Sequence, residues 1–507
     1  MRYTLMILGL SIVVAANAAC SGSGPPAVAT PATNSNQSSR GVFAAPSRGS
    51  FTEGVALGLP FRPRGGFPWA LRSTQPSLLR AAQTSLLRSA RSATERDIPR
   101  AGSERERWPE KVLYAFNGPD GAYPNPVITG PHGVLYGTTS SGGAYTSQCY
   151  ALGCGTVFQL TPPGNGQSAW TETLLYSFSG GADGASPSAR MTLGANGVLY
   201  GATYAGGANN FGTVFALTPP PPGQTNWTES VLYSFNGAAD GGYPFAALTD
   251  LRGSLYSTTS SFGTLSAGVA FRLSPPAPGQ TNWTETIIHA FGAPGDGSSP
   301  TAGFTLAGTT LLSTTSSGGG CRLFSPYGCG TVYQLTPTGQ GNRKWRETIL
   351  HDFTGFDGLF PDWEPTLGQN GHLYATASNG GGGCGGLGCG TAIEMTPPLT
   401  HRRTWDSHII FYFGQKSVAY AGALLADGTG NLYGEAESGG ALGDGVIFEL
   451  SPRGHRLWAE TILHRFNGTD GSAPYGELTI GAKGHIYGVT YAGGTSCACG
   501  VVFQLNP

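Results

Sequence analysis

One stretch of this sequence reads Leu199-Tyr200-Gly201-Ala202-Thr203-Tyr204-Ala205-Gly206-Gly207, and after four residues it continues Gly212-Thr213-Val214-Phe215-Ala216-Leu217-Thr218-Pro219. Its β-branched and aromatic residues, broken by glycine and proline, predict two short β-strands joined by a turn. The stretch recurs with W-x-E and D-G-x-x-P motifs in seven copies, which begin at Trp108, Trp170, Trp227, Trp283, Trp345, Trp405 and Trp458. Copies of 53 to 62 residues made of strands are typical of a β-propeller.

Each copy predicts four short strands, and in the second blade these cover residues 189–193, 198–204, 213–218 and 227–235. After Trp458 the sequence supplies only three such strands, whereas residues 108–116 match the outermost strand of the other copies. We therefore expect the strand 108–116 to pair into the last blade, which removes an unpaired edge. The sequence predicts an all-β, seven-bladed propeller of four-stranded blades over residues 108–507.

These motifs resemble the bacterial "choice-of-anchor" tandem-repeat family called GloVer, the Gloeo/Verruco repeat, and the resemblance covers residues 108–507. It implies an exported repeat protein held at the cell surface by one of several anchors, and it implies no catalytic residues. The copy that begins at Trp405 departs most, because it has Ser407 in place of the Glu and lacks Asp-Gly. The chain is also similar to kelch repeats, but in architecture only.

Residues 1–107 differ in kind from the repeats. Residues 1–19 contain Arg2, an apolar run and small residues, which is typical of a signal peptide. The small residues before Cys20 resemble a lipobox, so Cys20 is the predicted lipidation site; ordinary cleavage after Ala18 is the alternative. Residues 20–107 are rich in Ser, Pro and Arg and are predicted to form a disordered tether. The predicted location is the outer membrane or cell surface, with a periplasmic or secreted protein as the alternative.

Eight of the nine cysteines fall as four local pairs in the same loop of different copies. The pairs are Cys149/Cys154, Cys321/Cys329, Cys384/Cys389 and Cys497/Cys499. The two cysteines of a pair are present together in some copies and absent together in others, which predicts disulfides in an oxidising compartment. A bridge between Cys497 and Cys499, however, closes only a short ring. Metal binding is the alternative, but each site has two ligands and lacks a nearby histidine.

Charge divides at the same boundary as composition. Residues 1–107 contain 13 arginines and five acids, whereas residues 108–507 contain 24 acids and 15 basic residues. The basic arm suits an anionic membrane or cell-wall polymer, or the acidic domain itself, and a solvated spacer is the alternative. The acidic repeat domain argues against a nucleic-acid partner.

Catalytic motifs such as a nucleophile elbow, a P-loop or H-E-x-x-H do not occur in the sequence. The repeated aspartates are interpreted as turn residues, with sugar or calcium binding as the alternative; they are Asp120, Asp183, Asp240, Asp296, Asp357 and Asp470. Three histidines, His289, His351 and His464, replace the tyrosine of the outermost strand and are interpreted as ordinary substitutions.

Four glutamates break the repeat pattern near the predicted ring axis. One position of the innermost strand reads Val127, Arg190, Ala247, Gly303, Glu364, Ala423 and Glu477 in blade order. On the second strand of blade 6, Glu435 and Glu437 replace Thr and Ser and are expected to share a face. Nearby carboxylates suit acid–base catalysis, cation binding or hydrogen bonding to sugars. The alternative is that these positions line a solvated channel or its rim, tolerate charge, and have changed without any function.

Three functions follow from these features. The first is an anchored binding module for a surface polymer, such as a glycan, or for a protein partner. The second is a secreted glycan-active hydrolase or lyase that uses Glu364, Glu435, Glu437 and Glu477, and the third is a purely structural envelope protein. The sequence predicts no cofactor, no metal and a monomeric ring.

Overall fold

The computed structural model describes residues 108–507 except 147–148, 150–151, 322–324, 326, 340–343, 383–387, 399–403, 415–417, 455 and 495–496. The described residues form seven small antiparallel sheets in a ring, so the predicted seven-bladed propeller is confirmed. The predicted signal peptide, Cys20, the tether and Cys384 lie outside the described residues.

The strands are numbered along the chain and are grouped here by blade. Blade 1 contains β2 (Ala122–Pro124), β3 (Ile128–Thr129), β4 (Leu135–Ser141), β5 (Thr156–Thr161) and β6 (Thr171–Ser177). Blade 2 contains β7 (Ala185–Pro187), β8 (Thr192–Leu193), β9 (Leu199–Ala205), β10 (Thr213–Thr218) and β11 (Thr228–Ser234). Blade 3 contains β12 (Thr249–Leu251), β13 (Ser254–Thr259), β14 (Val269–Ser274) and β15 (Thr284–Ala290). Blade 4 contains β17 (Thr305–Ala307), β18 (Thr310–Thr315), β20 (Thr331–Thr338) and β21 (Lys344–Asp352), with a short pair β16 (Gly297–Ser298) and β19 (Ser317–Gly318).

Blade 5 contains β22 (Thr366–Leu367), β23 (Leu373–Ala377), β24 (Thr391–Thr396) and β25 (Asp406–Tyr412). Blade 6 contains β26 (Val418–Ala426), β27 (Leu432–Gly439), β28 (Val446–Pro452) and β29 (Trp458–Arg465). Blade 7 contains β30 (Ser472–Pro474), β31 (Thr479–Ile480), β32 (Ile486–Ala492), β33 (Val501–Leu505) and, from the start of the domain, β1 (Glu110–Ala115). Single 3-10 turns cover Pro131–Gly133, Ala195–Gly197 and Ala482–Gly484.

The innermost strand is less regular than the sequence predicts. In blade 2 only Thr192–Leu193 (β8) of the expected strand 189–193 pairs with β9, and β7, which precedes the expected strand, also pairs with β9. The chain leaves the ladder between them because Ser186 adopts a left-handed conformation (φ 54°) and Pro187 has no N–H to donate. The interruption leaves Arg190 between β7 and β8, outside the ladder.

Neighbouring blades pack through the aromatic residues of the repeat. In six blades the tyrosine of the Leu-Tyr or Ile-Tyr pair contacts the tryptophan of the next blade's outermost strand, with ring centroids 5.5–6.2 Å apart. Blade 4 has Leu312 instead of tyrosine, and Leu312 and Trp405 share one hydrophobic cluster. The predicted packing role of the Leu-Tyr pairs is confirmed, and burial of these rings stabilises each blade boundary.

Backbone hydrogen bonds also join every blade to the next. In each blade one innermost-strand residue with a positive φ donates its N–H to a carbonyl that precedes the third strand of the previous blade. The donors are Tyr123, Ser186, Tyr243, Ser299, Phe360, Tyr420 and Ala473. A left-handed conformation is costly for non-glycine residues, so its occurrence in all seven blades indicates that this bond stabilises the ring.

The ring closes as predicted. Strand β1 pairs antiparallel with β33, and Lys111 lies opposite Gln504. The backbone N–H of Tyr123 in blade 1 donates to the carbonyl of Cys499 in blade 7, with an N–O distance of 2.8 Å. The Thr479 hydroxyl of blade 7 donates to the carbonyl of Val127 in blade 1 at 2.6 Å. The two ends of the domain are therefore held in one blade, and the edge strand has a partner.

The cysteine pairs of the described residues form disulfides. Cys149 bonds to Cys154, Cys321 to Cys329, and Cys497 to Cys499. Cys389 is also disulfide-bonded, while its predicted partner lies outside the described residues. Each bridge closes a short loop beside the third strand, so its effect is local to that loop.

Candidate functional site

The axis of the propeller is crossed by an ion-pair cluster that joins three blades. Arg190 of blade 2 lies 2.9 Å (Nη2–Oε2) from Glu364 of blade 5 and 2.5 Å (Nε–Oε2) from Glu477 of blade 7. The side chain of Glu364 is only 9% exposed, and those of Arg190 and Glu477 are 30% and 20% exposed. The structure therefore brings Glu364 and Glu477 together, as predicted, but around a guanidinium that they both contact. We call these three residues the axial cluster.

The repeat itself places these side chains. Arg190, Glu364 and Glu477 occupy the same position of the innermost strand, so ring geometry directs all three toward the axis. Gly303 occupies that position in blade 4, and a Cβ built there would lie 2.1 Å from Oε1 of Glu364. The glycine therefore provides the space that the Glu364 carboxylate occupies.

One arginine does not neutralise the acids around it. The charges of Glu477 and Glu364 raise the pKa of Arg190, so the guanidinium stays charged. Burial and the charge of Glu364 raise the pKa of Glu477, and the attraction to Arg190 offsets this only in part. The cluster thus places two carboxyl groups against one guanidinium, and the raised pKa of Glu477 favours the protonated form of its carboxyl group.

Glu435 is the most buried acid near the axis. It is 1% exposed, and neither carboxyl oxygen has a hydrogen-bond partner among the described residues. Burial, followed by the charges of Glu437 and Glu477, raises its pKa well above the usual range. Burial of an unpaired charge is costly, so the site favours the protonated form of Glu435.

The repeat explains why a proton donor suits the position of Glu435. In blades 1, 3, 4 and 5 the same second-strand position is a threonine whose hydroxyl donates to a carbonyl of the next blade. The matching acceptor for blade 6 is the carbonyl of Gly476, which lies beside Glu435 near Gly422. A protonated Glu435 carboxyl carries an O–H group in the place of the missing threonine hydroxyl, although it makes no hydrogen bond among the described residues.

Two more carboxyl groups have raised pKa values near the axis. Burial, together with the charge of Asp362, raises the pKa of Glu437 to about 7. Burial raises the pKa of Asp362 to about 7, although the Ser378 hydroxyl, 3.1 Å from its Oδ2, opposes the shift. Asp362 belongs to none of the repeat motifs, so the sequence does not predict it as a site residue. It immediately precedes Trp363 in the loop before β22.

The axial cluster fills most of the channel. A cavity of about 30 Å³ remains, and Arg190, Glu364, Glu477, Asp362, Trp363 and Tyr475 contribute to its lining. A cavity of this size holds a few water molecules and no sugar ring. In this conformation the channel therefore has no room for a glycan to bind beside Glu364 and Glu477 and be cleaved there.

Aromatic rings border the same cavity. Trp363 of blade 5 packs edge-on against Tyr475 of blade 7 at 5.2 Å, and Tyr475 contacts Tyr491 at 6.1 Å. Tyr491 stacks on Tyr123 of blade 1 at 4.5 Å. Trp363, Tyr475 and Tyr491 are each partly exposed. We call these three rings, together with the Glu437 and Asp362 carboxyl groups, the axial mouth.

The repeated aspartates act at turns, as predicted. Each accepts a backbone N–H in its own turn and binds the tyrosine or histidine of the outermost strand; examples are Asp183 with Tyr176 at 3.0 Å and Asp296 with His289 at 3.1 Å. The glutamate of the next W-x-E motif lies near five of these pairs, whereas Ser407 takes its place beside His351 and Asp357. These contacts fix the turn between blades.

Two of these turn clusters have the composition of a metal site. The groups His289–Asp296–Glu347 and Glu110–His464–Asp470 each bring three ligand-type atoms within 4.8 Å of one another. Burial, with the hydrogen bond to Asp296 and its charge, raises the pKa of Glu347 to about 9. At neutral pH the first group is therefore held by a proton between two carboxyls, and it needs no cation for stability.

Among the described residues, no helix has the length and apolar character required to span a bilayer.

The chain is similar to several solved structures. Among solved structures, a protein of unknown function from Dyadobacter fermentans is 12% identical with a TM-score of 0.38, covering 80% of this chain and 98% of that one. A putative glucose dehydrogenase from Thermus thermophilus is 13% identical with a TM-score of 0.36, covering 79% and 100%. A putative 6-phosphogluconolactonase from Bacteroides uniformis is 12% identical with a TM-score of 0.40, covering 72% and 89%.

Sequence comparison identifies the family of the chain. No curated protein sequence matches this chain. The Gloeobacter/Verrucomicrobia repeat model matches residues 107–325 and 383–507, which is more than half of the chain and includes the motifs described above. The chain therefore belongs to the Gloeobacter/Verrucomicrobia repeat family.

Proposed function

We propose that this propeller is a binding module that recognises a polyhydroxylated surface polymer, a glycan, at the axial mouth. The observation that carries the proposal is the contrast within the channel. The three charges of the axial cluster pair with one another, while Trp363, Tyr475, Glu437 and Asp362 lie nearby, partly exposed and outside that ion pair.

The residues of the axial mouth match the chemistry of a sugar. Aromatic faces pack against the apolar C–H faces of a pyranose ring, and carboxyl groups hydrogen-bond vicinal hydroxyls. The pKa values of about 7 for Glu437 and Asp362 leave each group partly protonated at neutral pH. Each carboxyl can therefore donate to one hydroxyl and accept from another.

Attachment to the cell surface is part of the same proposal. The candidate anchor is lipidated Cys20, and residues 20–107 would tether the ring to the outer membrane. A single acyl modification gives weak binding, and further acyl chains or a basic segment strengthen it; the 13 arginines of residues 1–107 provide such a segment. Cys20→Ala should move the protein from the membrane fraction to the soluble fraction.

The direct test measures binding of the purified full-length chain to a glycan and cell-wall-polymer array. Glu437→Gln and Tyr475→Phe change the axial mouth with little change in shape, and Glu285→Gln at a turn between blades is the matched control. We expect a loss of at least about tenfold in affinity for the mouth variants, or about 1.4 kcal/mol, and no loss for the control. Absence of any polymer ligand, or equal binding by all variants, would contradict the proposal.

One observation favours a second function. Asp362 and Glu437 are two acids with pKa values of about 7 near one entrance, which is a pattern that acid–base catalysts use. In this hypothesis the chain is a glycan hydrolase or lyase whose acids come from blades 5 and 6. Reducing ends or unsaturated products released from a bound polymer, and lost in Glu437→Gln, would distinguish it from a binding module.

A further inference from the structure

One of the six aspartate turn clusters differs chemically from the other five. At the other turn clusters the tyrosine or histidine and the aspartate face a glutamate from the next W-x-E motif. Between blades 4 and 5 that glutamate is replaced by Ser407 on β25, which faces His351 of β21 and Asp357 of the following turn.

The replacement converts a carboxyl cluster into a chain of three polar groups, in which His351 contacts Ser407 on one side and Asp357 on the other. The Ser407 Oγ lies 2.9 Å from His351 Nδ1, and His351 Nε2 lies 3.1 Å from Asp357 Oδ2. Both distances are within the range required between a nucleophile, its base and the group that orients the base. At the equivalent boundary of blades 3 and 4, His289 Nε2 instead lies 3.8 Å from Glu347.

The charge of Asp357 suits the activation of a serine through His351. Burial alone would raise the pKa of Asp357, but hydrogen bonds from His351 and Thr354 and the charge of His351 hold it below its usual range. Asp357 Oδ2 lies 3.1 Å from His351 Nε2. In the tautomer that carries its proton on Nε2, His351 Nδ1 accepts the hydrogen bond of the Ser407 hydroxyl.

The three groups also border a cavity. Its volume is about 240 Å³, and its lining among the described residues is His351, Asp357, Ile393, Ser407, His408 and Ile409. The side chains of His351 and Asp357 are 12% and 22% exposed, and Ser407 is partly exposed. Ser407 is fixed by its strand, where it lies opposite Met395 of β24. A reagent can therefore approach a nucleophile whose position is already set.

We propose that Ser407, His351 and Asp357 form a serine-nucleophile site for acyl transfer, separate from the axial mouth. Ser407 Oγ attacks the carbonyl carbon of an ester as its proton moves to His351 Nδ1. The bond to the leaving alcohol breaks, and His351 returns that proton to the alcohol oxygen. Water then attacks the acyl-serine, gives a proton to His351, and releases the acid while Ser407 regains its proton. Asp357 is a positioning residue that stabilises the imidazolium through Nε2–H.

The cavity limits the substrate class. Its volume of about 240 Å³ is below the range of about 300–1,000 Å³ typical of pockets for drug-sized ligands. Ile393 and Ile409 give it an apolar wall beside the hydroxyl. The site therefore suits the short aliphatic acyl group of an ester, such as an acetyl or butyryl group, on an alcohol that extends into solvent.

The test treats the full-length chain with a fluorophosphonate probe and locates the adduct by peptide mass spectrometry. We expect one modified serine, Ser407, and hydrolysis of p-nitrophenyl butyrate with an initial burst. Ser407→Glu restores the residue that other copies carry, so the protein should fold, and labelling and hydrolysis should fall at least about 100-fold. Ser177→Ala, on the outermost strand of blade 1, is the matched control and should retain both.

Two further variants separate chemistry from structure. His351→Tyr also restores a residue of other copies, and it should abolish labelling while circular dichroism and thermal unfolding stay unchanged. Asp357→Asn should lower the rate of ester hydrolysis with an unchanged KM, which a structural role would not produce. The proposal is overturned if folded wild-type protein shows no labelling at Ser407, or if folded Ser407→Glu hydrolyses the ester at the wild-type rate.

Discussion

Arg190 and Glu364 are 174 residues apart in the chain, and their side chains meet at 2.9 Å near the axis of the ring. Glu477 approaches the same guanidinium from blade 7. Three blades that share no strand pairing are therefore connected through one cation. This contact stabilises the closed ring only while the guanidinium is present, because two half-buried carboxylates remain without it.

Removal of the cation should therefore cost more than removal of the whole cluster. We expect Arg190→Met to lower the free energy of unfolding at pH 7 by about 3 kcal/mol. The triple variant Arg190→Met, Glu364→Gln, Glu477→Gln should recover most of that loss, because no unpaired carboxylate remains. Chemical denaturation of the three proteins measures both effects. If the triple variant is no more stable than Arg190→Met, the unpaired carboxylates are not the cause of the lost stability, and the prediction is wrong.

Replacement of Glu435 should stabilise the protein. Glu435→Thr restores the repeat's own hydroxyl donor to the carbonyl of Gly476 and removes a buried carboxyl group without a partner. Because an unsatisfied buried polar group costs about 1–3 kcal/mol, we expect a gain of that size at pH 8. The gain should be smaller at pH 5, because the raised pKa of Glu435 stabilises the wild-type fold at low pH and this stability is lost as pH rises. Denaturant titrations at the two pH values measure the difference, and a destabilised or pH-independent variant would contradict this role.

The glutamates of the W-x-E motifs should make the propeller less stable as pH rises. Burial, followed by the charge of Asp183, raises the pKa of Glu229 from its usual value of 4.5 to about 7. The folded state therefore holds more protons than the unfolded state between these values, so stability is lost as pH rises from about 4.5 through about 7.

Glu229→Gln removes that ionisation and tests the sign. Relative to wild type, the variant should gain stability between pH 5 and pH 8, while its difference at pH 5 reflects only the change of side chain. Thermal unfolding at the two pH values provides the measurement. A difference that is constant with pH, or that declines toward pH 8, would refute the assigned direction.

The repeat explains which features were predictable from sequence. Strands, the role of the Leu-Tyr pairs, paired cysteines and the closing strand each follow from local patterns that recur, so seven copies provide the same information repeatedly. The two-piece innermost strand was not predicted, because the left-handed conformation of Ser186 has no glycine to signal it.

The candidate sites depend on contacts between distant copies. Glu364 and Glu477 were identified because they break the repeat pattern, but Arg190 breaks it at the same position and was not recognised as their partner. The pairing of blade 2 with blades 5 and 7 requires the dimensions of the closed ring, which no local pattern contains. Ser407 was likewise visible as a departure, whereas its contact with His351 needs the packing of blade 4 on blade 5.

All of this site chemistry requires a ring closed by β1 in blade 7. The most direct measurement is an engineered cross-link between Lys111 and Gln504, which lie opposite each other on β1 and β33. Lys111→Cys with Gln504→Cys should form a disulfide that peptide mapping detects. The control pair Lys111→Cys with Gln334→Cys, which uses the same strand position in blade 4, should form none. Absence of the first bridge in folded protein, or equal formation of both, would contradict the closed seven-bladed ring.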